Sequence, residues 1–249
     1  MEHLDNTNDI VDIDNNTETS KPLPPATPKW TGLSVRIISG VVLASLALIV
    51  LCSGGFIFAL LILLAAMQML REWDKLTEED DSIWGVAGLF YVAIPCAAIL
   101  WLRNLQIEGF TNAGFWLVLY VLFVVWATDI GAYFTGRTIG GAKLAATISP
   151  GKTWAGLGGG IGAAGVVGGL SCLFTPYPTT LFGAINLAVL LAIISQCGDL
   201  FESWLKRRAG VKDSSKLIPG HGGLLDRVDG LMFTIPLFAL LVYFSSLFK

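Results

Sequence analysis

Seven long apolar runs constrain this chain more than any other feature. They lie near residues 37–53, 55–70, 83–102, 115–134, 154–174, 181–198 and 231–248. Each approaches the roughly 20 residues that carry an α-helix across a bilayer. Inside hydrocarbon the backbone has to satisfy its own polar groups, and a helix does so within one segment. The expected fold is therefore all-α, a polytopic membrane protein with about seven transmembrane helices. A broken or short helix around 129–150 would raise the count to eight or nine. Charge agrees: 14% of the 249 residues are charged, against about 25% in a soluble domain.

The stretch "GLGGGIGAAGVVGG" at 156–169 suits close helix packing in lipid, where small residues let backbones approach. A nucleotide-binding loop is the less favoured reading of these glycines. Basic residues set the expected orientation. Arg36 precedes the first run, and Arg71 and Lys75 follow the second. Arg137, Lys143 and Lys152 sit between the fourth and fifth, and Lys206, Arg207, Arg208, Lys212, Lys216 and Arg227 between the sixth and seventh. Arg103 and Lys249 fall on the opposite side. Cytoplasmic loops are rich in Lys and Arg, so seven spans put the N-terminus inside and the C-terminus outside.

Three regions follow: a tail at 1–30, N-terminal membrane helices over 31–114, and a catalytic membrane region over 115–249. The tail has six acids, two lysines and four prolines. It cannot bury enough surface to fold and reads as disordered. It also lacks the basic start and apolar centre of a signal peptide. Cys52, Cys96, Cys172 and Cys197 all lie in or beside apolar runs. None forms a C-x-x-C pair, so they read as small hydrophobes rather than as zinc ligands or a disulfide framework.

Charges at or inside a span cost about 2.5–3.5 kcal/mol at its centre by insertion scales, and tend to be functional. Asp129, Asp199 and Glu202 each follow a long apolar run near the expected cytoplasmic face. One such acid is ordinarily interfacial; three beside basic loops of one face point to a site. Asp199 and Glu202, three residues apart on a helix, share a face, and Lys206 follows Glu202 by four. Ser195 and Gln196 add polar groups just above. Asp226 and Asp229 repeat the three-residue spacing where the seventh run begins. Such oxygen ligands suit a hard cation; Mg²⁺ is commonly held by one or two carboxylates plus substrate phosphates.

Between the pairs, Pro219, Gly220, Gly222 and Gly223 permit a tight turn whose N–H groups suit an anion. His221, the single histidine outside the tail, reads as a phosphate or substrate contact. "SPGKTWAG", from Ser149 to Gly156, imitates a Walker A loop, but the first required glycine is Ala146. A P-loop is therefore rejected. Ser149, Lys152 and Thr153 still suit phosphate binding at a helix start.

"SWLKRRAGVKDSSKLIPGHGGLLDRVD", Ser203 to Asp229, resembles the signature of the phosphatidate cytidylyltransferase (CDP-diacylglycerol synthase) family. That pattern is S-x-x-K-R, four residues, K-D, then P-x-H-G-G-x-x-D-R-x-D. Ser203, Lys206, Arg207, Lys212, Asp213, Pro219, His221, Gly222, Gly223, Asp226, Arg227 and Asp229 meet every fixed position. "QCGDLFES", "SPGKT" and "TDIGAYFTGR" extend the resemblance over roughly 120–230, while the earlier runs match in hydrophobic character alone. One departure is Ala155, where the family commonly has Glu two residues after the "KT".

The resemblance implies CTP + phosphatidate → CDP-diacylglycerol + pyrophosphate, with Mg²⁺, in a bacterial cytoplasmic (inner) membrane with the site facing the cytoplasm. It implies Asp199 and Asp226 as metal ligands; Asp229, paired with Asp226 by helical spacing, is expected as a further ligand or, with Glu202 and Asp213, as a group supporting them. Lys206, Arg207 and Lys212 are then expected on phosphates, joined in substrate binding by Ser149, Lys152, Thr153, Ser203, Asp213, His221, Gly222, Gly223 and Arg227. The expected partners are CTP, phosphatidate, the bilayer and a second copy in a homodimer; nucleic acid is not among them. Two other readings compete. A CTP-dependent kinase of a polyprenol or similar lipid alcohol would need a base to activate a hydroxyl. An ion-coupled transporter would place acids at mid-membrane in both halves of a repeat. Both fit the clustered acids and full signature less well, and the D-G-x-x-A-R pattern of CDP-alcohol phosphotransferases is missing from the chain.

Overall fold

The computed structural model describes residues 29–78, 82–175, 180–218 and 221–247. Residues 1–28 of the expected tail, together with Pro219 and Gly220, lie outside the described residues. Every apolar run folds as a helix: α1 (Lys29–Ser53), α2 (Gly55–Leu76), α3 (Ser82–Asn104), α4 (Ala113–Thr138), α5 (Trp154–Ser171), α6 (Leu181–Arg208) and α7 (Leu225–Leu247).

The expected span count is met in part. Among the described residues five helices are long and apolar enough to cross a membrane, namely α2, α3, α4, α6 and α7. The described side chains of α1 form a shorter apolar stretch, Ile38–Ser53. Glycine, which contributes almost no hydropathy, fills much of the 18-residue α5. The interval 129–150 holds no additional helix among the described residues, so a count of eight or nine fails. Instead α4 continues to Thr138 and a two-stranded antiparallel hairpin follows, β1 (Lys143–Ala145) and β2 (Ser149–Thr153). Gly140 and Gly141, at φ 66° and 91°, supply the left-handed backbone that turns the chain out of α4. Pro150 is tolerated because the ribbon has free edges. At the far end Thr153 caps α5, its hydroxyl accepting from Gly156 N at 3.0 Å.

Helix α4 is the axis of the fold. Leu117, Tyr120, Val124 and Thr128 along it are fully buried. It packs along nearly its whole length against α5, which packs on α6, which packs on α7. Glycine makes the first seam possible: a Cβ at Gly131 would strike Ala163 and the Gly159 carbonyl, and one at Gly160 the Thr128 carbonyl. Helices α2 and α3 pair with each other, and α3 also reaches α4 and α7. Their outer faces carry exposed Ile57, Leu63, Leu64, Ile83, Phe90 and Ile94. That surface requires an apolar medium, so the chain is an integral membrane protein.

At 1.5 Å per residue the 28 residues of α6 span about 42 Å, more than the roughly 30 Å of hydrocarbon. Its last turn, with Lys206, Arg207 and Arg208, is the charged end of a helix longer than the hydrocarbon layer. Arg208 lies 4.1 Å from the Trp84 ring of α3, an aromatic contact suited to the edge of that layer.

Candidate active site

Helices α6 and α7 run antiparallel, and two glycines bring them together where their acids lie. A Cβ at Gly198 would meet the Asp229 carbonyl at 2.6 Å. One at Gly230 would meet Asp199 Oδ1 at 3.0 Å and overlap Ser195 Oγ. Asp199 and Glu202 on α6 thus face Asp226 and Asp229 on α7. Asp199 stands beside Gly230, while Glu202 shares a lysine with Asp226. The two levels are about one helical turn apart, near 5 Å.

At the outer level Lys206 Nζ donates to Glu202 Oε2 at 2.8 Å and Asp226 Oδ1 at 2.6 Å. The other Asp226 oxygen accepts from Ser214 N at 2.9 Å and Gly223 N at 2.7 Å, with Ser214 Oγ at 3.0 Å. Asp226 is therefore fully engaged, and it ties Ser214 to Gly223, the two flanks of a loop. Gly222 sits in this loop at φ 82°, and a Cβ there would also meet Asp226 Oδ2 at 2.6 Å. Glycine is required on both counts. A side chain at Gly223 would overlap Ser214 and Glu72.

At the inner level the hairpin contributes. Lys152, the residue before the Thr153 cap, donates to Asp199 Oδ2 at 2.8 Å and Gln196 Oε1 at 3.0 Å. The Gln196 amide nitrogen lies 3.3 Å from both Asp129 Oδ1 and Asp199 Oδ2. Asp129, Tyr133, Lys152, Gln196 and Asp199 line a cleft of about 210 Å³. In contrast to Asp226, Asp199 Oδ1 is buried without a hydrogen-bond partner, as are Ser195 Oγ and Glu202 Oε1. Asp229 acts electrostatically on Asp199 and Glu202. Four carboxylates share this seam with two lysines.

Not every expected residue converges. Lys212, Asp213 and Arg227 are exposed, available to a ligand arriving from the aqueous side. Arg207 donates to the carbonyls of Ile148 at 3.3 Å and Val211 at 3.1 Å, so it ties the hairpin turn to the end of α6. Ser149 and Ser203 are half-buried, and Thr153 serves as the α5 cap. His221 Nδ1 lies 2.8 Å from Ser39 Oγ of α1, with Gly40 under the ring.

Sequence reasoning passed over three contributors from the N-terminal helices. Ser39 holds His221. The Tyr91 hydroxyl of α3, buried without a hydrogen-bond partner, lies within electrostatic reach of Glu202, Asp229 and Asp199. Glu72 of α2 is buried and receives a set of donors from the signature loop. The rule applied to Asp129 and Asp199, that an acid at the end of a span marks function, would have found Glu72 had the second run been extended past residue 70.

No group of three or more carboxylate, imidazole or thiolate side chains forms a ready-made metal cage among the described residues. What the seam offers is oxygen alone: Asp199 Oδ1, Ser195 Oγ and Glu202 Oε1, buried and unsatisfied, with Asp229 adjacent. That donor set fits a hard divalent cation that completes its shell from water and substrate phosphates.

A fold of apolar helices with acids and lysines concentrated at one end of a helix pair defines a membrane enzyme handling phosphates. Residues 83–245 match the model of the cytidylyltransferase family. The chain is 40% identical over 233 residues to the phosphatidate cytidylyltransferase of Brucella suis biovar 1 (strain 1330), covering 93% of this chain and 79% of that protein. It is 36% identical over 213 residues to the phosphatidate cytidylyltransferase of Rickettsia bellii (strain RML369-C), covering 83% and 89%. A phosphatidate cytidylyltransferase of Haemophilus influenzae is 40% identical over 191 residues, 66% of each chain. The chain belongs to the cytidylyltransferase family.

Proposed function

We infer that this protein transfers the cytidylyl group of CTP to phosphatidate, giving CDP-diacylglycerol and pyrophosphate for phospholipid synthesis. The observation that carries the reading is the α6–α7 seam, where Lys152 and Lys206 are held among Asp199, Glu202 and Asp226 at the charged end of α6. A phosphatidate oxygen, ionised at neutral pH, attacks the α-phosphorus of CTP. The new P–O bond forms as the bond to the β-phosphate oxygen breaks, and pyrophosphate leaves with the electron pair. No hydroxyl needs deprotonation, so no general base is required. The barrier lies in bringing two polyanions together and stabilising the leaving group, which is positioning and electrostatics.

The chain's residues divide this work. Lys206 and Lys152 exchange their carboxylate partners for substrate phosphates. Lys212 and Arg227, exposed and without ion-pair partners among the described residues, receive the phosphates of CTP. Arg207 keeps the hairpin, and with it Lys152, against α6. Gly222 and Gly223 present backbone at the loop, and Ser149, Ser203, Asp213 and His221 lie along its edges as further contacts. Asp199, Asp229 and, once Lys206 has moved, Asp226 would hold Mg²⁺, which supplies positive charge against the CTP phosphates. Counting α1 and α5 as spans gives seven, with the N-terminus and the site on the cytoplasmic side of a bacterial inner membrane and the C-terminus outside. The enzyme works as a homodimer in this reading.

The test is CTP incorporation by purified protein with phosphatidate against a polyprenol, with and without Mg²⁺. Labelled CDP-diacylglycerol formed only with phosphatidate and Mg²⁺ is the expected result. Phosphorylation of the polyprenol would replace this reading with the kinase.

A further inference from the structure

Glu72 sits at the end of α2, far in sequence from every motif of the site. Its side chain is buried. Oε1 accepts from Gln68 Nε2 at 2.9 Å, Ser215 Oγ at 2.8 Å and Leu224 N at 3.0 Å. Oε2 accepts from Leu225 N at 2.8 Å, with Ser214 Oγ at 3.1 Å. No lysine or arginine pairs with it among the described residues. The charge of a buried carboxylate is here compensated by N–H and O–H donors alone.

Four of those donors come from the two flanks of one loop. Ser214 and Ser215 lie on its entry, and Leu224 and Leu225 on its exit. Leu225 opens α7, so its N–H and that of Leu224 are among the groups a helix leaves unsatisfied at its start. Glu72 therefore caps α7 from another helix, placing a negative charge where the helix dipole favours it. Asp226, the next residue of α7, takes the Gly223 N–H and shares the Ser214 hydroxyl, which has one proton for two carboxylates. Two acids from separate helices thus hold the same loop, meeting at the Ser214 hydroxyl.

We propose that Glu72 is a positioning residue for cytidylyl transfer: it fixes Ser214, Ser215, Leu224 and the start of α7, and so sets where Asp226 and Lys206 stand. It touches neither substrate. This rests on the activity inferred above, and wild-type turnover checks that activity separately.

The experiment compares wild type, Glu72→Gln and Ser214→Ala in detergent, measuring kcat, the KM values for CTP and phosphatidate, and melting by tryptophan fluorescence. Glutamine keeps the volume but turns an NH₂ towards donors. Its kcat should fall about 100-fold, the order expected of displaced catalytic groups. Both KM values should move less than kcat, within about threefold, because Lys152 on the hairpin and Lys212 ahead of Ser214 lie outside the stretch that Glu72 holds. Ser214→Ala removes one shared hydrogen bond and should lose about tenfold in kcat. A Glu72→Gln protein that melts like wild type with unaltered kcat would overturn the proposal, as would one that loses affinity for CTP with kcat intact. If Glu72→Gln does not fold, Ser214→Ala decides: a tenfold loss at unchanged KM supports the proposal, and wild-type kcat refutes it. An inactive wild type would instead count against the cytidylyl-transfer reading.

Discussion

Two acids of the α6–α7 seam, Asp226 at the outer level and Asp199 at the inner, are the same residue type and end in opposite states. Asp226 has both oxygens taken, by Lys206, two backbone N–H groups and a serine hydroxyl. Asp199 has one oxygen on Lys152 and the other buried with no donor. A buried carboxylate oxygen without a partner costs on the order of 1–3 kcal/mol. The fold tolerates that cost at Asp199 and removes it at Asp226. Asp226 organises the loop through Ser214 and Gly223, while Asp199 keeps one oxygen unsatisfied.

Substituting each acid in turn separates the two levels. Asp199→Asn should lower kcat on the order of 1,000-fold with melting little changed, since Gln196 remains as a partner for Lys152. Asp226→Asn should abolish turnover and also cost about 3 kcal/mol, because it leaves Lys206 half-paired and presents an NH₂ to backbone donors. Equal melting temperatures for the two variants would erase the distinction. Gly230→Ala comes next. Its methyl enters the space beside Asp199 Oδ1 and Ser195 Oγ, so activity should drop roughly 10- to 100-fold for about 1–3 kcal/mol of overpacking. Gly85, where a Cβ meets nothing within 4 Å, is the control.

Lys152→Gln acts on the inner level through the hairpin. It should raise the apparent KM for CTP about tenfold, the order of one lost charge-assisted contact, and leave the loop around Asp226 intact. Arg207→Ala should have the smallest effect, a two- to threefold fall in activity, because its bonds to the Ile148 and Val211 carbonyls are exposed and such bonds are worth about 1 kcal/mol or less. A Mg²⁺ titration of these variants sharpens the contrast further: Asp199→Asn should shift the half-activating concentration more than Arg207→Ala does.

Much of this was readable before any coordinates, for identifiable reasons. The helices were legible because length and apolarity set them locally, and each predicted run falls on one of the seven. The pairing of Asp199 with Glu202, and of Asp226 with Asp229, followed from helical spacing. The hairpin was not legible. "KLAATISPGKT" has no strong alternation, and the lysine–threonine pair invites comparison with a phosphate loop instead. Glu72 and Ser39 were missed because their partners, Ser214, Leu225 and His221, are more than a hundred residues away. Local pattern carries no information at that separation. Nor does residue type say that Asp226 is saturated and Asp199 is not, since that depends on which backbone N–H groups the loop turns inward.

The glycine-lined contact between α4 and α5 has a bearing on how a two-tailed lipid gets in. Where a single methyl at residue 131, 159 or 160 would overlap the opposite helix, no acyl chain can pass. The wall is shut to lateral traffic at that level, so a lipid bound for Lys152 and Lys206 would pass around the flank of the pair rather than between the helices there.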